Sequence, residues 1–268
     1  GVIGATFPIE TVTAGIESTY KNLGYERSDA LLAAAAIMTT DTYSKEVAVE
    51  FEIGGKTVHM GGMAKGSGMI CPNMATMLAF VTTDCAISKE LLNKALKADI
   101  QTTYNMVSVD GDTSTNDTII VMANGLAENE EIASEGKDYD TFKEALHYVN
   151  ERLAKNLVRD GEGATKFIEV NVNGAATEQD AKTMAKSVVK SSLVKAAMFG
   201  EDANWGRVLC AMGYSGVKFD PTKVDIVFES AKGDILLMDN GTPIVFDEEK
   251  AATILSEKEI TVNIKISE

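Results

Sequence analysis

The chain has 268 residues, of which 45% are hydrophobic and 24% are charged, values typical of a folded domain rather than a disordered or fibrous one. Its 25 Lys and Arg against 40 Asp and Glu give a formal charge of −15, which would repel nucleic acids and anionic membranes, so we expect small-molecule partners. Three cysteines without CxxC spacing favour free thiols, and no apolar run reaches the roughly 18 residues of a membrane span, which together predict a cytoplasmic protein.

The first patterns along the chain predict a helix and a hairpin. Residues 29–38 are rich in Ala and Leu and follow a capping serine, which predicts a buried helix. Apolar and polar residues alternate over 47–53, and a Gly-Gly pair follows at 54–55. We therefore expect a hairpin whose second strand returns at 57–60.

A glycine-rich segment at 61–70 predicts a loop that leads into an apolar, buried strand over 74–81. The order Lys65-Gly66-Ser67 in this loop differs from the Gly-Lys-Ser/Thr order of a phosphate-binding loop. The sequence therefore predicts no nucleotide site here.

The rest of the chain continues to mix helix and strand patterns. Predicted helices lie over 89–100, within 139–159 and from 177 to 200, and predicted strands over 118–123, 166–172, 224–228, 234–238 and 260–266. Strands follow one another as hairpins in some places and alternate with helices in others. This order favours an α+β layered sandwich over a doubly wound parallel sheet.

The chain has only two histidines, which limits the catalytic arrangements open to it. His59 lies in the predicted hairpin and His147 in an amphipathic helix, so a structural or surface role is expected for each. A Ser/His/Asp or Cys/His triad and a histidine-ligated zinc site are correspondingly disfavoured. Catalysis would need another base.

An N-terminal threonine supplies its own base, because an α-amine with a pKa of about 8 can take the hydroxyl proton. Self-cleavage can create such a residue when a strained, flexible turn precedes a rigid strand. Residues 66–76 have that composition, ending at Thr76. From the residues alone, Thr76 could equally be an ordinary strand residue, since threonine is a common β-former.

The segment over 65–78, KGSGMICPNMATML, resembles the processing and nucleophile motif of the ornithine acetyltransferases, also called bifunctional glutamate N-acetyltransferases. In that family the chain is cut between the residues that match Ala75 and Thr76. Further blocks at 1–4, 36–42, 108–118 and 200–207 resemble family blocks in the same order. The resemblance therefore spans essentially the whole chain.

This resemblance implies a layered α/β/β/α sandwich of the self-processing type. Residues 1–75 would form the end of the α-chain, and 76–268 would form the β-chain, with a smaller C-terminal α/β region from about 165. Relative to the family, we expect the N-terminal region and the C-terminal tail to be absent from this sequence. Residues 110–117 and 204–207 match the family without a specific role, and turn formation or helix capping is expected there.

The resemblance also implies roles for individual residues. Thr76 would be the acyl-accepting nucleophile, with its freed amine as the base, and Gly1 would belong to the oxyanion hole. The substrate-binding residues would be Lys65, Glu162, Thr76 and either Thr39 or Thr40. The sequence leaves open a solvated loop lysine at 65, a surface turn at 162, and helix-end capping by the paired threonines.

By resemblance, the protein would move acetyl from N2-acetylornithine to glutamate through an acetyl-threonine intermediate in arginine biosynthesis, with no metal or cofactor. Acetyl-CoA is a second donor in some members, and the sequence leaves its use open. Two processed chains would assemble into a heterotetramer. Two alternatives remain: a related self-processing amidohydrolase or aminopeptidase in which water is the acceptor, and an uncleaved, non-catalytic binding protein.

Overall fold

Two separate hydrophobic cores organise the chain in its computed structural model, which describes residues 4–71 and 77–267. The first core lies against a four-stranded sheet and the second against a five-stranded sheet. Gly1, Ala75 and Thr76 lie outside the described residues, so the roles expected of them stay predictions.

The first sheet has the strand order β1-β2-β3-β4, with β1, β2 and β3 antiparallel and β4 parallel to β3. Its strands are β1 (Lys45–Ile53), β2 (Lys56–Lys65), β3 (Leu78–Thr83) and β4 (Thr118–Ala123). The helices of this half are α1 (Ile9–Tyr20), α2 (Arg27–Ala36), α3 (Lys89–Asp99) and α4 (Lys137–Arg159).

The predicted hairpin is confirmed, and its second strand runs further than expected. Gly54 and Gly55 turn the chain with positive φ values of 57° and 76°, a conformation in which glycine pays no steric penalty. The loop predicted from residue 61 was wrong at its start, because β2 continues to Lys65. A Cβ at Gly62 would lie 2.9 Å from side-chain atoms of Leu153 and Val149, so glycine here admits close packing of α4 on the sheet.

The register of β3 places three strand ends at one edge of the first sheet. Leu78 pairs with Lys65 on one side and with Thr118 on the other. The Thr118 N–H also donates to the Met77 carbonyl at 2.9 Å, which extends the parallel pairing by one residue. The end of β2 and the starts of β3 and β4 therefore lie side by side.

Helix α4 covers the first sheet and carries the chain back to this edge. Its buried side chains recur every three or four residues, as in an amphipathic helix, and include Phe142, Leu146, Val149 and Leu153. The helix ends at Arg159. The residues that follow it can therefore meet the end of β2.

The second sheet has the order β5-β9-β6-β7-β8, with β5 parallel to β9 and the other pairs antiparallel. Its strands are β5 (Phe167–Asn173), β6 (Val224–Ser230), β7 (Gly233–Asp239), β8 (Thr242–Pro243) and β9 (Glu259–Ile266). The accompanying helices are α5 (Glu178–Lys190), α6 (Ser192–Phe199), α7 (Trp205–Gly213) and α8 (Glu248–Leu255). The α+β layered sandwich expected from the element order is confirmed.

The single helix predicted over 177–200 was wrong, since it is two helices that meet at Ser191. This residue has ψ of 114°, which breaks the helical path, and its hydroxyl accepts from the Val194 N–H to cap α6. The capping role expected within 204–207 is confirmed, because the Asn204 side chain accepts from the Arg207 N–H at the start of α7. Helices α1, α7 and α8 were not predicted.

In the part of the chain that the structure describes, no helix combines the length and apolarity that crossing a membrane requires. All three cysteines are free thiols, as expected. Cys71 and Cys85 are buried, whereas Cys210 is exposed.

Candidate active site

A short loop, the glycine loop over residues 66–71, follows the end of β2 at the sheet edge described above. Gly66 and Met69 both have positive φ, of 145° and 54°, and a methionine with that φ is strained by its Cβ. Asp110 holds the strained peptide in place, because its carboxylate accepts from the Met69 N–H at 2.5 Å and the Ile70 N–H at 3.1 Å. The loop therefore contains a strained turn, and the Asp110 carboxylate fixes it.

Lys65 and both candidate threonines lie at the start of the glycine loop. The Lys65 Nζ atom is 3.5 Å from the Thr39 hydroxyl, a long and weak contact. The Thr40 hydroxyl is 2.5 Å from the Ser67 hydroxyl, so Thr40 is tied to the loop itself. The structure brings Thr39, Thr40 and Lys65 together, and it gives the two threonines different contacts.

Glu162 reaches the same loop from the end of α4. Its backbone N–H donates to the Ser67 carbonyl at 2.7 Å. A Cβ at Gly68 would lie 2.5 Å from Cδ of Glu162, so the carboxyl group rests directly against this glycine. Glu162 is thus brought to the predicted site although 97 positions separate it from Lys65 in the sequence (162 − 65).

A buried ion network lies behind the loop and fixes these pieces relative to one another. The Lys45 Nζ atom is 2.6 Å from Oδ1 of Asp41 and 2.6 Å from Oδ2 of Asp160, and its side chain is fully buried. Asp41 also accepts from the Gly66 N–H at 2.7 Å, and Asp160 accepts from the backbone N–H and the hydroxyl of Thr42. One lysine therefore joins the 39–45 segment, the glycine loop and the end of α4.

Hydrogen bonds and the Lys45 ammonium stabilise the ionised forms of Asp41 and Asp160. Burial alone would raise the pKa of the Asp41 carboxyl, but the Gly66 N–H and the Lys45 ammonium outweigh it and leave this pKa below its ordinary value. Burial likewise opposes ionisation of Asp160, and its bonds from Lys45 and Thr42 lower its pKa. Both carboxylates are therefore ionised at neutral pH.

Glu162 also lines a cleft of about 240 Å³, together with residues of the second half that include Lys166 and Lys195. Lys65, Thr39 and Thr40 do not line this cleft. Of the predicted substrate residues in the described chain, Glu162 alone lines the cleft, whereas all of them lie at the glycine loop, and their contacts there define the candidate site.

Neither histidine takes part in the candidate site. His59 Nδ1 lies 2.9 Å from the Asp84 carboxylate, and Lys65 lies six positions further along β2, roughly 20 Å of strand away. His147 Nδ1 lies 2.7 Å from the Asp99 carboxylate at the end of α3. Both positions agree with the structural and surface roles expected for them.

Sequence reasoning missed the Asp41–Lys45–Asp160 network. Asp41 and Lys45 lie four residues apart, a spacing that suggests a helix pair, yet they stand in a loop and at the start of β1. Asp160 lies 115 residues from Lys45, and no local pattern links them.

A model of the ArgJ family matches residues 1–268, the full length of the chain. The sequence is 56% identical over 266 residues to the arginine biosynthesis bifunctional protein ArgJ of Caldanaerobacter subterraneus subsp. tengcongensis. It is 52% identical over 267 residues to the arginine biosynthesis bifunctional protein ArgJ 1 of Clostridium acetobutylicum. These alignments cover 98% and 100% of this chain but only 64% and 65% of the two relatives.

A solved structure is similar as well. The crystal structure of the arginine biosynthesis bifunctional protein argJ from Bacillus halodurans is 47% identical in sequence and matches with a TM-score of 0.68. The match covers 71% of this chain and 88% of that chain. Sequence and fold therefore point to the same set of relatives.

Proposed function

Because the chain belongs to the ArgJ family, as its motif blocks predicted, we propose that it carries the acyl-transfer site of an acetyltransferase acting in arginine biosynthesis. The proposed donor is N2-acetylornithine and the proposed acceptor is glutamate. The convergence of Lys65, Thr40 and Glu162 on the glycine loop carries the proposal, because these residues come from distant parts of the sequence.

The proposed reaction has two acyl transfers. The Thr76 hydroxyl attacks the acetyl carbonyl of N2-acetylornithine, its proton passes to the Thr76 amine, and the proton then leaves on the amine of ornithine as the amide C–N bond breaks. The amine of glutamate next attacks the acetyl ester, and its proton returns to the threonine oxygen. Gly1 is the proposed oxyanion-hole residue for both tetrahedral intermediates.

Two opposite charges beside the glycine loop suit a substrate that carries both charges itself. The Lys65 ammonium can bind the α-carboxylate of an amino acid, and the Glu162 carboxylate can bind the side-chain ammonium of ornithine. Charge-assisted hydrogen bonds of this kind favour the doubly charged substrate over one that lacks either group. This complementarity supports a basic amino acid as the leaving product.

The proposed cut between Ala75 and Thr76 has support from the segments on either side of it. On one side, Asp110 fixes the strained Met69 peptide. On the other, Met77 is buried and its carbonyl is bonded to Thr118 at the start of the sheet. A strained turn joined to a fixed strand suits attack of a hydroxyl on the preceding carbonyl.

The remaining parts of the proposal rest on the family alone. We propose that acetyl transfer needs no metal or cofactor, that acetyl-CoA is an additional donor to be tested, and that two processed chains form a heterotetramer in the cytoplasm. Size-exclusion chromatography with light scattering would measure the assembly.

The central test uses the full-length protein. Intact mass spectrometry should show two fragments that part between Ala75 and Thr76, and Thr76→Ala should remain one chain without activity. Incubation with N2-acetylornithine should give N-acetylglutamate only when glutamate is present. Acetate released at the same rate without glutamate would favour a hydrolase, and an uncut, inactive wild-type chain would favour a binding protein. Activity retained by Thr76→Ala would refute the proposed nucleophile.

A further inference from the structure

A basic pocket lies on α5, outside the candidate active site. It has a volume of about 690 Å³ and is bounded by α5, the turn at Tyr104–Met106 and the end of α7. Of the described residues that line it, three are lysines, namely Lys182, Lys186 and Lys190, and none is acidic. The chain has a formal charge of −15, so this pocket is a local region of opposite sign, and a concave surface of that kind attracts anions.

The three lysines of the basic pocket repel one another. They recur at a spacing of four along α5, so their side chains share one face of the helix, where like charges destabilise it. Lys182 forms an ion pair with Glu178 at 2.5 Å, which offsets part of this repulsion. The Lys186 ammonium donates to the Asn105 carbonyl at 2.6 Å, which fixes its position at the pocket wall.

The repulsion is also visible in the ionisation of Lys186. Burial lowers the pKa of this lysine and the Lys190 ammonium lowers it as well, against the Cys71 side chain, which raises it. A half-buried ammonium next to a second ammonium is a costly arrangement. An anion bound between Lys186 and Lys190 would remove that cost, because it favours the charged form of both.

The basic pocket adjoins the segment that holds the glycine loop. A Cβ at Gly111 would lie 3.8 Å from Cε of Lys190, so this lysine reaches the turn after β3 and α3 that contains Asp110. The Asp110 carboxylate accepts from the Met69 and Ile70 N–H groups, as described above. A ligand in the pocket would therefore lie beside the candidate active site without occupying it.

Phosphate is the anion that suits this arrangement best. A phosphate monoester carries a charge of about −1.5 to −2 at pH 7 and three acceptor oxygens, so it can accept from two ammonium groups at once. Side chains four residues apart on a helix have Cβ atoms about 5–6 Å apart, a spacing that a diphosphate can bridge. The Tyr214 ring also lines the pocket and is 60% exposed, which offers an aromatic face to a nucleotide base.

We propose that the basic pocket binds the phosphate groups of a nucleotide-type small molecule, with Lys186 and Lys190 as the main phosphate-binding residues and Lys182 as a further cation. Two sources share this chemistry: a free nucleotide, and coenzyme A, whose acetyl thioester is the additional donor named above. Only the coenzyme A source rests on the proposed function. The pantetheine arm of coenzyme A separates its thioester from its phosphates, so a phosphate site beside the candidate active site fits that source too.

The test is isothermal titration calorimetry on the full-length protein at constant ionic strength, with coenzyme A, ADP and inorganic pyrophosphate as probes. Lys190→Gln removes an exposed cation from the pocket, and Lys56→Gln, at an exposed lysine where β2 begins, is the control with the same change in net charge. We expect saturable binding to the wild type, and a Kd raised about 10-fold or more in Lys190→Gln, because a hydrogen bond to a charged group is lost. Lys56→Gln should bind like the wild type.

The order of the probes distinguishes the two sources. Tighter binding of coenzyme A than of ADP assigns the pocket to coenzyme A, and equal or weaker binding assigns it to a free nucleotide. The tightest probe, at saturation, should also slow acetylation of Lys190 by acetic anhydride, measured by peptide mass spectrometry, while Lys56 reacts at an unchanged rate. This second measurement locates the ligand without any substitution.

No saturable binding of any probe would overturn the proposal, as would an unchanged Kd in Lys190→Gln. An equal rise in Lys190→Gln and Lys56→Gln would also overturn it, since that result indicates attraction by the overall charge instead of a site. Unprotected Lys190 would place the ligand elsewhere and refute the assignment. Calorimetry needs no turnover, so an inactive protein that binds the probes contradicts only the proposed function, and an active protein that binds none of them contradicts only the phosphate site.

Discussion

Lys45 and Asp160 form a buried ion pair with 2.6 Å between Nζ and Oδ2, although 115 positions separate them in the sequence. The same ammonium binds Asp41, whose carboxylate holds the Gly66 N–H of the glycine loop. Glu162 follows Asp160 by two residues. Lys45 therefore links the segment that carries Glu162 to the glycine loop, in addition to the direct hydrogen bond from the Glu162 N–H to the Ser67 carbonyl.

Lys45→Met should destabilise the fold strongly, because it leaves two carboxylates buried without their cation. Breaking a buried pair in this way costs about 3–5 kcal/mol. Lys94→Met is the matched control, since Lys94 pairs with Glu135 on the surface, where solvent screens the two charges and the pair contributes little to stability. Urea unfolding of both variants measures the difference. Equal losses in the two variants would contradict the role given to Lys45.

The stabilisation from this network should depend on pH in the acid range. The pKa values of Asp41 and Asp160 are lower in the folded chain than their ordinary value, so their contribution is complete above about pH 4 and is lost as pH falls through the folded values. The difference in unfolding free energy between wild type and Lys45→Met should therefore shrink below pH 4. Denaturant titrations from pH 7 to pH 3 measure it, and a difference that stays constant would argue against the ion network as its source.

Glu162→Gln should weaken binding of substrates that carry a side-chain ammonium. Loss of one hydrogen bond to a charged group costs about 1.5–3 kcal/mol, which corresponds to roughly a 10- to 150-fold rise in KM for N2-acetylornithine. KM for glutamate, which has no such ammonium, should change much less. The exposed Glu90 provides the control Glu90→Gln. Steady-state kinetics with each substrate varied separately gives both constants, and an equal rise for both substrates would speak against the proposed pairing.

Gly68→Ala should lower activity with little loss of stability. The new Cβ would lie 2.5 Å from Cδ of Glu162, and the end of that flexible side chain can move away at low cost, which shifts the carboxylate from its place. Gly213→Ala is the control, because no atom lies within 4 Å of a Cβ there. Thermal unfolding and kinetics on the same preparations separate the two effects. Unchanged KM for N2-acetylornithine in Gly68→Ala would show that the position of Glu162 does not matter for binding.

Local patterns predicted those helices and strands in which apolar residues recur at a regular spacing within the element itself. The alternation before Gly54-Gly55 predicted the hairpin, and the long amphipathic pattern predicted α4. The boundary between α5 and α6 was not predicted from the sequence. Ser191 interrupts the helix through its backbone angle, while the residues around it have helical preferences. Gly61 and Gly62 look like loop residues, but both pair with β1, and Gly62 also packs closely under α4.

The sequence by itself determined the family, and it predicted the loop-to-strand junction at Thr76 and the charged substrate residues, because all of these are recorded in contiguous motifs. Only the tertiary structure decided that Glu162 lies against Gly68 and that Lys45 joins Asp41 to Asp160. These contacts join segments that are far apart in the chain, and no local sequence pattern indicates that they meet. They depend on which strands pair and on which helix covers the sheet. That arrangement is set by the burial of apolar surface in the two hydrophobic cores, not by any local run of residues.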